Sequence, residues 1–202
     1  MFPVFLQLNS SNLYDLRLSC FQGFCQKLET LFGNVGVIEL TICDSREELV
    51  EKTQEQLGEL PSWVVGLTKG HCVYLLSPNE IRDRQMNFEN ILKHEIVHIF
   101  VNQFSNNCPI WLNEGIAQNL SEDVIGEKEC LEVKLTNPYD LSYESGLYFC
   151  SKIVVRMLFE IYGVPNVINC LKSCKNFRKD SVFGYNSIEK LITVRNAQYF
   201  YK

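Results

Sequence analysis

The segment Asn87 to Phe104, NFENILKHEIVHIFVNQF, constrains this chain more than any other. Apolar residues fall on nearly every side of its helical wheel, so a helix formed here runs through an interior. Such a helix has little room for polar groups, yet it carries His94, Glu95 and His98. An imidazole or carboxylate buried without a partner costs roughly 2 kcal/mol or more, so the fold has to supply partners. The spacing suggests which. Residues four apart share a helical face, where two neutral ring nitrogens can hold one Zn²⁺ while Glu95 projects alongside toward a water. The chain has only three histidines, which makes this pairing uncommon by chance. The third, His71, precedes the motif on a turn and is read as a surface residue.

At 202 residues the chain is long enough for one domain with a proper core, built as two sublobes, residues 1–104 and 105–202. Apolar types make up 46% and charged types 21%, which argues against disorder. A net charge of −5 leaves no basic stripe for phosphates, so nucleic acid is not an expected partner. No apolar run reaches the ~18 residues of a membrane span, and the amino-terminal stretch lacks signal-peptide features, so a cytoplasmic location without membrane contact is expected. The nine cysteines form no CxxC pair and read as packing residues in a reducing compartment.

Along the chain the patterns predict an extended segment at Phe2–Leu8 and a helix from the Asn/Ser cluster at 9–12 to Phe32. They then predict a strand at Val35–Cys43 and a helix at Ser45–Leu57. Trp63–Leu67 and Cys72–Leu76 form a hairpin candidate, ahead of the helix already described. The loop 105–109 leads into a helix around Leu112–Leu120 with Leu112, Ile116 and Leu120 as its stripe. A short strand is possible at 130–135, one helix is predicted over Ser142–Tyr162, another over Asn166–Cys174, and a last turn or helix follows Ser187. The class is α+β: a small mixed sheet with packed helices, a central helix carrying the histidines, and a helical carboxyl-terminal lobe.

A catalytic zinc needs a third protein ligand and one open position. Glu114 follows His98 by fifteen residues, in WLNEGIAQ, off the apolar stripe of its helix. A short loop folds that helix back against the first, so its carboxylate is the candidate third ligand.

HEIVH followed by WLNEGIA resembles the gluzincin metallopeptidases, and the order of segments from Trp63 onward is similar to their compact minigluzincin, peptidase MA-like members. The resemblance implies Zn²⁺ held by His94, His98 and Glu114, with Glu95 as general base for water attacking a peptide or protein substrate. Ser142-Tyr143-Glu144-Ser145-Gly146 resembles the aminopeptidase stretch whose tyrosine stabilises the oxyanion, a role that falls on Tyr143. There are three departures. Position 145 is serine where that pattern has lysine. Gln118 stands where thermolysin-like relatives carry an aspartate that orients a zinc histidine. Met86-Asn87-Phe88-Glu89-Asn90 only imitates the amine-anchoring segment, and Glu89 is better placed as an i,i+4 partner of Lys93. Endopeptidase or oligopeptidase action is therefore expected, with Cys72–Leu76 as the edge against which an extended peptide pairs.

Two alternatives belong to other classes. One is a non-catalytic binding or regulatory protein that keeps the fold, with, as its variant, a latent enzyme whose aromatic tail Tyr199-Phe200-Tyr201 occupies the cleft. The other is a Cys108 nucleophile, disfavoured because zinc withholds the neighbouring histidines from it.

Overall fold

A computed structural model of the chain describes residues 5–9, 18–53, 60–104, 107–121 and 134–199. The chain divides into two compact units, Met1–Gln103 and Phe104–Lys202. The elements are of mixed α+β type.

The first unit contains β1 (Phe5–Asn9), α1 (Leu18–Phe32), β2 (Val37–Cys43), α2 (Arg46–Thr53), β3 (Gly66–Lys69), β4 (Cys72–Leu76), α3 (Pro78–Asp83) and α4 (Phe88–Asn102). The strands form one sheet in the order β1-β2-β4-β3. β1 and β4 both run parallel to β2, and the hairpin strand β3 runs antiparallel to β4. Parallel neighbours need crossovers, and α1 supplies the first of them. In β2 the side chains alternate: Ile38, Leu40 and Ile42 are buried while Val37 is exposed. The hairpin was legible in the sequence but its place in the sheet was not. β4 lies between β2 and β3, so Cys72–Leu76 is an interior strand and the edge on that side is β3.

α4 begins where Asn87 accepts a hydrogen bond from the Asn90 amide at 3.0 Å, satisfying one of the first turn's orphan donors. Leu92, Ile96, Val97, Ile99, Phe100 and Val101 are all buried, as the all-round apolar pattern requires. Phe100 meets Phe32 of α1 with ring centroids 5.9 Å apart. A second cluster joins Leu49 of α2 and Ile81 of α3 with Cys43, Val65 and Leu76. The guanidinium of Arg46 donates to the carbonyls of Val64, Leu60 and Pro61, at 2.9, 2.6 and 2.6 Å, and so anchors the segment that leads into β3.

Every described regular element of the second unit is helical: α5 (Ile110–Leu120), α6 (Leu147–Tyr162), α7 (Val164–Ser173) and α8 (Tyr185–Tyr199), with 3-10 turns at Pro138–Asp140, Tyr143–Ser145 and Phe177–Lys179. The single helix predicted over Ser142–Tyr162 is broken. The Ser145 hydroxyl accepts the Ser142 amide at 2.7 Å, the Ser142 carbonyl accepts the Ser145 amide at 3.1 Å, and Gly146 turns the chain at φ 93° before α6 starts. Of the strand considered at 130–135, residues 130–133 lie outside the described residues. Leu135 belongs to no strand, and its amide and carbonyl are both paired with the side-chain amide of Asn196 at 3.0 and 2.9 Å. The aromatic tail beyond Tyr199 also lies outside the described residues.

α5 and α6 approach at backbone distance because Gly115 lacks a side chain. A Cβ there would lie 2.5 Å from the Ser151 carbonyl oxygen and 2.5 Å from Val155 Cγ2. Asn119 ties the pair, donating to the carbonyls of Gly115 (2.7 Å) and Lys152 (2.9 Å). No described helix is long and apolar enough to cross a membrane.

Candidate metal centre

His94 and His98 sit one turn apart on α4, each half-buried. Their rings meet edge to face with centroids 4.6 Å apart, and their Nε2 atoms are 3.0 Å apart. Two nitrogens bound at ~2.1 Å to one tetrahedral ion stand ~3.4 Å apart, so the pair already has nearly the separation that a shared ion imposes. Which ring donates in this contact depends on the tautomers.

Glu95 is buried at 8% exposure, with Thr68 as its partner from the sheet. The Thr68 hydroxyl lies 2.8 Å from the Glu95 main-chain carbonyl and 2.9 Å from Oε2. Glu89 pairs with Lys93 at 3.0 Å on the first turn of α4, which is the i,i+4 role expected of it in place of an amine anchor.

Glu114 is 9% exposed on α5, where Trp111, Leu112, Gly115, Ile116, Ala117 and Gln118 are buried as well. The burial extends well beyond the three-residue stripe read from the sequence. His94, His98 and Glu114 form a group of side chains that could hold a metal ion.

Tyr143 does not head a helix. It lies in the 3-10 turn before Gly146, 41% exposed, with its ring 5.2 Å from that of Tyr148. Burial of the hydroxyl end, and after it the charge of Glu114, pushes its pKa up to about 12. The phenol therefore stays protonated at neutral pH and can donate a hydrogen bond. Gln118 is buried and donates to the Tyr148 carbonyl at 3.2 Å, so this amide ties α5 to the start of α6. His71 is exposed in the β3-β4 turn, where its main-chain carbonyl accepts the Glu39 amide at 2.9 Å.

Cys25, Cys43 and Cys150 are buried, while Cys72, Cys108, Cys170 and Cys174 are half-buried, and all seven are free thiols. Burial, and secondarily Cys174, pushes the Cys108 thiol up to about 12, the opposite of what an activated nucleophile requires.

Thr68 is the functional candidate that sequence reading missed. The predicted first hairpin strand ends at Leu67 and leaves Thr68 to the turn, whereas β3 runs Gly66–Lys69 and its packing on α4 brings Thr68 to Glu95.

Comparison with protein-family models, with curated proteins and with solved structures finds no match to this chain.

Proposed function

We propose that the chain is a zinc-dependent metallopeptidase of compact gluzincin type, acting as an endopeptidase or oligopeptidase on peptide or protein substrates. The observation that carries this reading is the His94–His98 pair on one face of α4, with Nε2 atoms 3.0 Å apart and the buried Glu95 carboxylate in the same motif; Glu114 completes a group that could hold a metal ion. Two imidazoles and one carboxylate are a donor set that suits zinc and leaves a fourth position open. In this reading α4 is the central zinc helix and the helices after residue 105 form the carboxyl-terminal lobe.

When bound, zinc supplies the Lewis acidity that brings the pKa of a water toward ~7 and polarises a carbonyl. Glu95 accepts the proton from the attacking water and delivers it to the departing amine nitrogen. The Tyr143 hydroxyl, protonated at neutral pH, donates to the carbonyl oxygen as that atom gains charge. An extended peptide would pair its backbone with the edge strand β3 in place of the interior Cys72–Leu76. The free thiols accord with a reducing, cytoplasmic setting.

The test is cleavage of a peptide library by zinc-loaded wild type, Glu95→Ala and Tyr143→Phe. The reading expects cleavage by wild type, a loss of about 100-fold or more for Glu95→Ala, and a smaller loss for Tyr143→Phe. One zinc per chain with no cleavage of any peptide would replace it with the non-catalytic binding protein.

A further inference from the structure

Resting on the peptidase reading, we infer that Thr68 is the positioning residue for the general base: its hydroxyl holds Glu95 Oε2 and leaves Oε1 to take the proton.

The geometry comes from the match between a strand and a helix. Gly66 and Thr68 lie two apart on β3 and so share one face. A Cβ at Gly66 would lie 3.4 Å from Ile91 Cγ2, which shows that this face looks onto α4. Ile91 and Glu95 are separated by about 6 Å along the helix axis, and Gly66 and Thr68 by about 6.7 Å along the strand. The two steps nearly coincide. Where the strand is bare at Gly66 the helix comes close, and one step further on Thr68 reaches Glu95.

The Thr68 hydroxyl has two acceptors in range, the Glu95 carbonyl at 2.8 Å and Oε2 at 2.9 Å, but only one proton to give. Within α4 that carbonyl already accepts the amide four residues on, and a carboxylate oxygen is the stronger acceptor. The proton therefore belongs on Oε2. The terminal torsion of a glutamate is otherwise broad, so this bond selects one carboxylate orientation on a side chain whose burial already limits the rest.

The test combines kinetics with a measurement that needs no metal. In the zinc-loaded protein, Thr68→Val removes the hydroxyl while keeping the shape and strand preference, and it should lower kcat about 10- to 100-fold with KM changed less than about twofold. Thr68→Ser should return kcat to within about threefold of wild type. In EDTA, a double-mutant cycle of Thr68→Val with Glu95→Ala on the unfolding equilibrium should show a coupling of about 10-fold in the unfolding constant. Additive effects in that cycle would overturn the assignment whatever the activity, as would a Thr68→Val variant whose loss lies wholly in KM or one that Thr68→Ser fails to rescue. Wild type that cleaves nothing would remove the peptidase reading on which the base role stands, while the cycle would still decide whether Thr68 holds Glu95.

Discussion

Replacing Gly115 by alanine tests how α5 is held. In an uncrowded helix the change gains about 1 kcal/mol, because alanine loses less backbone entropy than glycine. Here the new methyl would sit 2.5 Å from the Ser151 carbonyl oxygen, 2.5 Å from Val155 Cγ2 and 2.9 Å from the Ser151 carbonyl carbon. Ordinary contact begins near 3.4 Å, so α5 and α6 must part by roughly 1 Å. Two of the three atoms are backbone and cannot rotate away, which puts the overpacking cost toward the upper end of about 1–3 kcal/mol. The net loss is about 1–2 kcal/mol, and the Asn119 bonds to Gly115 and Lys152 stretch with it. Urea unfolding followed by the fluorescence of buried Trp111, in a Trp63→Phe background that removes the other tryptophan, should show the midpoint falling by about 0.5–1 M. Adding Val155→Ala should recover part of the loss, since one of the crowded atoms is then gone. Because Glu114 precedes Gly115, metal affinity should fall in parallel. A midpoint equal to or above that of wild type would refute the close-approach reasoning.

Two further outcomes follow from the same packing. Arg46→Met should cost about 1–2 kcal/mol in chemical denaturation and Arg46→Lys should recover little of it, because an ammonium cannot serve the three carbonyls that the guanidinium spans; a neutral Arg46→Met would contradict this anchor. Burial pushes the thiols of Cys25 and Cys43 up to about 11 and that of Cys108 up to about 12, so the reactive thiolate is scarce at neutral pH and rises with pH. Site-resolved iodoacetamide labelling of the native protein should climb about 10-fold per pH unit without a plateau below pH ~10, and saturation near pH 9 would refute it.

α4 was legible because several levels agree in one segment: an Asn cap, an apolar residue on nearly every side, and polar groups four apart that need a common partner. The interior of β2 was legible through alternation, and the hairpin through two apolar runs, although its first strand is Gly66–Lys69 in place of Trp63–Leu67. Strand order was not, since placing β4 inside the sheet depends on parallel pairing with β2, a long-range contact that leaves no local mark. The break at Gly146 was hidden because Ser142 and Ser145 close a 3-10 turn with their hydroxyls, and at the level of pattern such serines read equally well as the first turn of a helix. Gly115 read as part of a motif, yet its close approach to Ser151 depends on another helix. Thr68 is the same case in the sheet: its value comes from the coincidence of a two-residue strand step with a four-residue helical step. Paired spacings within one element show in the sequence, and spacings shared between elements do not.

The most direct measurement is the titration of zinc into the metal-stripped chain by calorimetry, with the bound metal counted by elemental analysis, for wild type, His94→Ala, His98→Ala and Glu114→Ala. The account predicts one ion per wild-type chain, and an affinity that falls at least about 10-fold when any one of the three residues is removed. A chain that takes up no zinc, or wild-type affinity kept by both His94→Ala and His98→Ala, would contradict it.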